Sequence, residues 1–122
     1  MDKGFGRHFT FDGIVNDMCL IEPERVKDFL DKCPDKIGMT KVTQPMVYEV
    51  GSKVIGMIII AESHISFHGD LNSGNISIDI FSCLFFSFKV AKNAVNEYFP
   101  CSWVRSNFIE RGMDFNRTNG GD

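Results

Sequence analysis

Hydrophobic and polar positions alternate along several stretches of the chain, which is the pattern of β-strands with one buried face. In residues 76–83, three isoleucines share one face, and serine, aspartate, phenylalanine and cysteine share the other. Residues 53–61 are apolar on both faces, which is typical of a covered central strand. Strands are predicted over 5–15, 40–50, 53–61, 63–68, 76–83 and 101–110.

Two other stretches show helical periodicity. The first has an apolar stripe at helical spacing, formed by Val26, Phe29, Leu30 and Cys33. It follows Pro23, which a first helical turn tolerates, and Pro34 and Gly38 are expected to end it. A second helix is predicted over 87–99, where Pro100 stops it.

These elements predict a two-layer α+β sandwich, in which two helices pack on one face of a mostly antiparallel sheet. A chain of 122 residues has room for one such domain, which we place over 1–112. Residues 113–122 are rich in Asn, Gly and Asp, and we expect them to form a flexible tail.

The charge balance excludes some partners. The chain has 13 Lys and Arg against 16 Asp and Glu, with no basic cluster, so neither a nucleic acid nor an anionic membrane surface is expected as a partner. The longest apolar run is far too short to span a bilayer, and the first residues lack the apolar segment of a secretory signal. A cytoplasmic location is expected.

Four cysteines are present, at positions 19, 33, 83 and 101, without the C-x-x-C spacing of a zinc or redox motif. In a reducing compartment they are expected to be free thiols. Cys19, Cys33 and Cys101 are predicted to pack as small hydrophobic residues.

The chemically richest stretch is ESHISFH, residues 62–68. On a strand, His64 and His68 would be about 13 Å apart, too far to bind one metal ion together. Ser63 lacks the surrounding G-x-S-x-G motif of a Ser-His-Asp hydrolase. Composition alone therefore favours an edge strand with polar side chains and hydrogen-bonded histidines.

The order of the residues points further. The segment AESHISFH (61–68) resembles the processing site of the prokaryotic-type S-adenosylmethionine decarboxylases. Similar blocks of that family are matched by GRH (6–8), IDIFSC (78–83) and ERG (110–112), in the same order and at about the same spacing. The cysteine of D-x-F-x-C lies 15 residues after the second histidine of E-S-H-x-x-x-H, and this combination is specific.

The resemblance implies a proenzyme that cuts itself between Glu62 and Ser63 into chains 1–62 and 63–122. The Ser63 hydroxyl would attack the Glu62 carbonyl, and His68 would assist the following elimination by proton transfer. The product is a pyruvoyl group in place of Ser63, so no metal or pyridoxal phosphate is needed. Its ketone forms a Schiff base with the substrate amine and accepts the electrons released with CO2. Cys83 resembles the proton donor of the family.

Two further expectations concern geometry. Alternation places His64 and His68 on one face of a strand, and Asp79 and Cys83 on one face of its neighbour, so His68 and Cys83 are predicted to share a pocket. The resemblance also implies a homodimer of processed protomers, possibly paired into a tetramer, with the pocket at or near the dimer interface.

The chain departs from the family after the processing histidine. Family members typically continue Thr-Trp-Pro-Glu, whereas this chain has Gly-Asp-Leu-Asn, so adenine stacking and ribose binding look lost at Asp70 and Asn72. A second stacking aromatic of the family aligns by spacing with Glu49. Carboxylates at 49 and 70 favour a cationic substrate, unless they are only exposed charges.

Ile55 is a further departure, because the family usually has a serine there that helps processing. Ser52 or Ser66 are candidates to substitute for it.

The expected function is a pyruvoyl-dependent decarboxylase acting on a basic amino acid, either L-arginine to agmatine or L-ornithine to putrescine. S-adenosylmethionine decarboxylation is the alternative within the same class. A hypothesis from another class is a catalytically dead homologue that never cleaves and acts as a binding or regulatory subunit.

Overall fold

The computed structural model describes residues 6–112, and the predicted tail over 113–122 lies outside the described residues. The helices and strands of this region follow one another in the order β1 (Gly6–Val15), α1 (Pro23–Lys36), β2 (Thr40–Lys41), β3 (Met46–Val50), β4 (Lys53–Ala61), β5 (Ser63–Asp70), β6 (Asn75–Ser82), α2 (Phe88–Tyr98) and β7 (Cys101–Arg111).

The strands form one antiparallel sheet in the order β2-β4-β5-β6-β1-β7, and β3 pairs with β4 along the same edge as β2. The predicted strand over 40–50 is therefore two strands. The backbone N–H groups of Val42 and Thr43 both bond to the carbonyl of Ile59, and Pro45 has no N–H to continue the ladder. The α+β sandwich is confirmed.

One face of the sheet is covered by both helices and holds the core. Gly56 allows close approach of α1 to β4, because a Cβ there would lie 2.7 Å from Cδ1 of Leu30. The largest fully buried side chains of this layer are Phe9, Phe11, Phe29, Phe67, Phe86, Phe99, Ile21, Leu30, Ile58, Ile60, Ile65 and Ile78.

Both helices form where the periodicity predicts them, with differences at their ends. The apolar stripe of α1 is buried, but the helix continues through Pro34 to Lys36, so the expectation that Pro34 ends it is wrong. Gly38, at a φ of 82°, adopts the left-handed conformation that stops the chain from continuing as a helix. Ser87 caps α2 by accepting a hydrogen bond from the Val90 N–H at 3.2 Å. Periodicity did not predict the short 3-10 helix Met18–Ile21.

The opposite face of the sheet has no helix over it within residues 6–112, and we call it the open face. The expectation that 53–61 is covered on both sides is wrong, because Ile55, Met57 and Ile59 lie half-exposed on this face. The most exposed apolar side chains on it belong to the outer strands and one end of β1: Ile14, Met46, Tyr48, Val50, Trp103 and Ile109. An apolar surface of this kind is typical of an interface.

The four cysteines are free thiols. Cys33 is buried in the core, where burial raises the pKa of its thiol to about 12. Cys101 is half-buried, and burial also raises the pKa of its thiol. Cys19 is exposed, so the prediction that it packs as a small hydrophobic residue is wrong.

Among the described residues, no helix is both long enough and apolar enough to cross a membrane.

Candidate active site

The predicted cleavage position lies in the tight hairpin between β4 and β5. Glu62 is the single residue between the two strands, and Ser63 opens β5. The Ser63 hydroxyl donates a hydrogen bond to the carbonyl oxygen of Glu62. The nucleophile and the carbonyl group that it would attack are therefore already in contact.

Cys83 comes to the same place from the next strand. Because Ser63 pairs with Ser82 across β5 and β6, Cys83 follows immediately beyond the end of the ladder. Its backbone N–H donates a hydrogen bond of 3.0 Å to Oγ of Ser63. The structure thus brings together Glu62, Ser63 and Cys83.

His68 lies at the other end of β5. It pairs with Ile55 on one side and Ser77 on the other, five residues along the strand from Ser63. At about 3.3 Å per residue, this separation is about 16 Å. The prediction that His68 and Cys83 share a pocket within one protomer is therefore wrong. Alternation specifies the face of a residue but not its position along the strand, and the antiparallel register places these two residues far apart.

A charged pocket of about 310 Å³ surrounds His68. It is lined by Lys53, Ile55, His68, Gly69, Asp70, Asn75, Ile76 and Ser77. Asp70 is half-buried, and one of its carboxylate oxygens lies 3.6 Å from the Lys53 ammonium. Lys53 was not predicted as a site residue, although the hairpin register pairs it directly with Asp70.

Asp70 also has a structural role in the turn that follows β5. Its other carboxylate oxygen accepts a hydrogen bond from the backbone N–H of Asn72 at 2.9 Å. This bond is the main cause that lowers the pKa of Asp70, with smaller contributions from Ser52 and Lys53. Asn72 therefore contacts Asp70 through its backbone, and its own side chain is exposed in the turn.

Glu49 does not join this group. In the pairing of β3 with β4 it lies opposite Val54, which is buried on the helix-covered face. Tyr48, its neighbour, pairs with Ile55 and is on the open face with His68, where 66% of it is exposed. The spacing of the family motif pointed to Glu49. The alternation of side chains along β3 instead indicates that Tyr48 is the residue on the face of the pocket.

Between the two ends of β5, the open face carries a cluster of histidines that sequence reasoning did not assign to a site. Nε2 of His8 lies 2.9 Å from Oδ1 of Asp79. His64 packs against Phe81, with ring centroids 6.0 Å apart. Burial is the main cause that lowers the pKa of His64, and the charge of His8 adds to it.

The predicted substitutes for the missing family serine are placed differently. Ser66 lies on the open face two residues from His68, whereas Ser52 lies in the turn between β3 and β4 and contributes a side-chain hydrogen bond to Asp70. Ser66 is thus placed on the same face of the same strand as His68.

Within residues 6–112, no group of three or more His, Cys, Asp or Glu residues is arranged to hold a metal ion. His64 and His68 lie on the open face four residues apart, as the alternation predicted.

This arrangement, a helix-backed antiparallel sheet with a serine at the tip of a central hairpin, has a counterpart among solved structures. A crystal structure of the adenosylmethionine decarboxylase from Aquifex aeolicus has the same fold, with a TM-score of 0.79, 22% identity, and coverage of 91% of this chain and 93% of that chain.

The sequence comparisons define the family. The family model described as S-adenosylmethionine decarboxylase matches residues 7–112. An S-adenosylmethionine decarboxylase proenzyme from Archaeoglobus fulgidus is 31% identical over 80 residues, which is 64% of this chain and 70% of that protein. The chain belongs to the S-adenosylmethionine decarboxylase family.

Enzymes of this family are pyruvoyl-dependent carboxy-lyases of polyamine biosynthesis, made as proenzymes. Their pyruvoyl group is generated from a serine of the chain, and neither a metal nor pyridoxal phosphate is required. The residues around the β4–β5 hairpin fit this cofactor, since a serine hydroxyl is already in contact with the preceding carbonyl.

Proposed function

We propose that this protein cuts itself between Glu62 and Ser63 and uses the resulting pyruvoyl group to decarboxylate a small amino acid with a positively charged side chain. The cleavage assignment is supported by the contact of the Ser63 hydroxyl with the Glu62 carbonyl. The fragments 1–62 and 63–122 would stay together, because β4 and β5 pair along eight residues on either side of the cut. The pyruvoyl group supplies a carbonyl that accepts electrons as CO2 leaves.

We further propose that the working unit is a dimer formed through the open face. His68 is about 16 Å from Ser63 along one strand, so it cannot act on Ser63 of its own protomer. A second copy packed antiparallel on the open face would bring its His68 to the end of the sheet that carries Ser63 of the first copy, and the two-fold symmetry would do the same for the other pair. The exposed apolar side chains of this face, such as Tyr48, Trp103 and Ile109, support such an interface.

In this arrangement each reaction centre takes residues from two protomers. One protomer contributes Ser63 and Cys83, which acts as the proton donor. The other contributes His68 and the pocket with Asp70. His68 is exposed on the open face, whereas Ser63 is in register with the buried Ser82 and is reached at the end of the sheet, where the hairpin begins.

The observation that carries the substrate proposal is the Asp70 carboxylate in the same pocket as His68. This carboxylate already accepts one ammonium, that of Lys53 at 3.6 Å, and Lys53 is largely exposed and free to move aside. No Phe, Tyr or Trp is among the residues that line the pocket in the described region. L-arginine and L-ornithine are the substrates whose side-chain cation fits an acidic group at this position.

S-adenosylmethionine is the second candidate, and two observations favour it. Tyr48 supplies an aromatic ring on the open face next to Ile55, which lines the pocket. The relatives from Archaeoglobus fulgidus and Aquifex aeolicus carry the name of S-adenosylmethionine or adenosylmethionine decarboxylase. A ring at this position could stack on adenine, a contact worth about 1–3 kcal/mol.

The first test is the intact mass of the purified protein under denaturing conditions. Two fragments that divide between Glu62 and Ser63, the second with a blocked pyruvoyl end, would support the proposed function. A single chain of 13.8 kDa that persists on incubation would contradict it and favour the non-cleaving regulatory homologue.

The substrate is then tested by release of CO2 from L-arginine, L-ornithine and S-adenosylmethionine. The Tyr48→Ala variant distinguishes the two candidates. It should raise KM for S-adenosylmethionine by about 5- to 100-fold if the ring stacks on adenine, and leave KM for a basic amino acid nearly unchanged. Val50→Ala, on the same face and strand, is the matched control.

A further inference from the structure

Ser82 is the only buried polar side chain among residues 6–112, and the mechanism above does not use it. Its hydroxyl has a partner on each side. It donates to Sδ of Met39 at 3.6 Å and accepts a hydrogen bond from the backbone N–H of Leu84 at 3.0 Å. A buried hydroxyl with both roles filled is a rigid anchor, and it lies directly opposite Ser63 in the sheet.

The turn that Ser82 anchors has few other supports. β6 ends at Ser82, so the sheet ladder does not hold the next residues. Leu84 and Phe85 are 52% and 69% exposed, and the Arg7 guanidinium lies over the Phe85 ring, 5.1 Å from its centroid. The bond from the Leu84 N–H to the Ser82 hydroxyl closes a serine turn and thereby fixes the peptide between them.

The peptide fixed in this way carries the backbone N–H of Cys83, which donates to Oγ of Ser63 at 3.0 Å. This donor is therefore aimed at the oxygen that changes charge during self-cleavage. A fixed backbone donor at such an oxygen needs no reorganisation as the charge develops.

We propose that Ser82 is a positioning residue for self-cleavage, because its hydroxyl holds the turn that aims the Cys83 N–H at Oγ of Ser63. The inference rests on the proposed cleavage at Ser63. In the first step, Oγ bonds to the Glu62 carbonyl carbon, the C–N bond breaks, and the nitrogen of residue 63 takes the hydroxyl proton. An ester and a free amine result.

The N–H donor acts in the second step. A base removes the proton from Cα of residue 63, and that electron pair forms the Cα–Cβ double bond. The Cβ–Oγ bond breaks, and its electron pair stays on Oγ, which becomes a carboxylate oxygen of Glu62. Water then hydrolyses the dehydroalanine to the pyruvoyl group and ammonia. The Cys83 N–H stabilises the negative charge as it forms on Oγ.

The test follows cleavage of newly made Ser82→Ala protein by intact mass, with and without hydroxylamine. Elimination should slow by about tenfold. This is less than the roughly 100- to 1000-fold decrease in rate seen when an oxyanion donor is removed outright, because here the donor stays and only its positioning is lost. The ester should then accumulate, and hydroxylamine should split it into a Glu62 hydroxamate and a fragment with a free Ser63 amine. Ser82→Thr, which keeps the hydroxyl, should restore the rate. Ser102→Ala, which removes a hydroxyl bonded to the Ile14 carbonyl on a distant strand, should match the wild type.

Cleavage of Ser82→Ala at the wild-type rate would overturn the proposal. Slow cleavage without a hydroxylamine-sensitive ester, in protein with native circular dichroism, would also overturn it. If Ser82→Ala does not fold, the nearly isosteric Ser82→Cys provides the test: a weaker acceptor should give intermediate slowing with ester accumulation, and an unchanged rate would overturn the proposal. Failure of the wild type to cleave at all would instead refute the proposed function.

Discussion

The two ends of β5 are built differently. At one end, Ser63 is held by backbone groups, the carbonyl of Glu62 and the N–H of Cys83. At the other end, His68 is exposed beside a pocket whose charge comes from side chains, chiefly Asp70. The groups that surround the bond to be cut belong to the backbone, which holds them in one geometry. The groups that would recognise a ligand are side chains, and they face solvent.

This difference has a consequence for substitutions. A change at the Ser63 end should alter cleavage, and a change in the His68 pocket should alter substrate binding. His68 is the exception, because in the proposed dimer it acts on the Ser63 of the other protomer.

The largest effect is expected when the two ends of β5 are inactivated in different chains of one dimer. Ser63→Ala lacks the nucleophile and His68→Ala lacks the proton-transfer group, so each variant alone should stay uncut. Co-expressed, they should form mixed dimers in which one intact Ser63 meets one intact His68. Statistical pairing through a two-fold interface would then cut about a quarter of all chains, measured by intact mass.

The control is to mix the two variants only after separate purification, under conditions that prevent subunit exchange, where no cleavage is expected. Uncut chains after co-expression would mean that the two ends do not meet across an interface. Normal cleavage of His68→Ala alone would remove His68 from the processing step.

The second prediction concerns Asp70. Asp70→Asn should raise KM for the basic amino acid by roughly 10- to 100-fold, because a hydrogen-bonded charged contact is worth about 1.5–3 kcal/mol. Cleavage should be nearly unaffected, because Asp70 has no role in the acyl shift or in the elimination proposed for Ser63. Steady-state CO2 release measures the first effect, and intact mass measures the second.

Asp35→Asn, an exposed carboxylate at the end of α1, is the control for the loss of one negative charge. If KM for Asp70→Asn equals that of this control, Asp70 serves only the turn in which it caps the Asn72 N–H.

The third prediction restores a hydroxyl beside His68. Ile55 pairs with His68 on the open face, so the serine of Ile55→Ser can hydrogen-bond to the imidazole. One such bond contributes about 1 kcal/mol, which corresponds to about fivefold faster cleavage. The rate is followed by intact mass from the earliest time after synthesis. Ile59→Ser, on the same strand and face beside His64, is the matched control, and equal rates for both variants would contradict the prediction.

The smallest effect is expected from His64. Its pKa is lowered in the folded protein from 6.5, mainly by burial. Its contribution to stability is therefore fully present above pH 6.5 and is lost as pH falls through that value toward the lowered folded one. Thermal unfolding of the uncut Ser63→Ala protein should show a larger decrease in Tm from pH 7.5 to 5 than the same protein with His64→Gln.

The difference should be about 1–2 °C, because much of the ring is exposed and solvent screens it. Parallel Tm curves for the two proteins would show that His64 does not cause the pH dependence.

Local sequence patterns were enough to predict the fold class and the residues of the cleavage position at Glu62 and Ser63. Alternation along 76–83 and the helical stripe of α1 specify which side chains are buried, because strand and helix periods are local properties of the backbone. The identities of Ser63 and Cys83 come from the family motifs, whereas the two consecutive hairpins that bring them to one end of the sheet are seen in the strand register.

The positions of the other site residues depend on how the strands pair. The turn after Asp70 sets the register that pairs His68 with Ser77, and this register places His68 away from Cys83. Pairing of β3 with β4 put Tyr48, not Glu49, on the face of the pocket. A shift of one residue in a strand exchanges the faces, so spacing from a family motif cannot decide such positions.

The sequence also could not tell which face of the sheet is covered. An apolar strand such as β4 has the same pattern whether its second face meets helices or another subunit. Only the placement of both helices on one side exposed Ile55, Met57 and Ile59 on the other. The local pattern thus determined what each segment is, whereas long-range pairing decided which residues meet, because register and layer packing depend on contacts between segments distant in sequence.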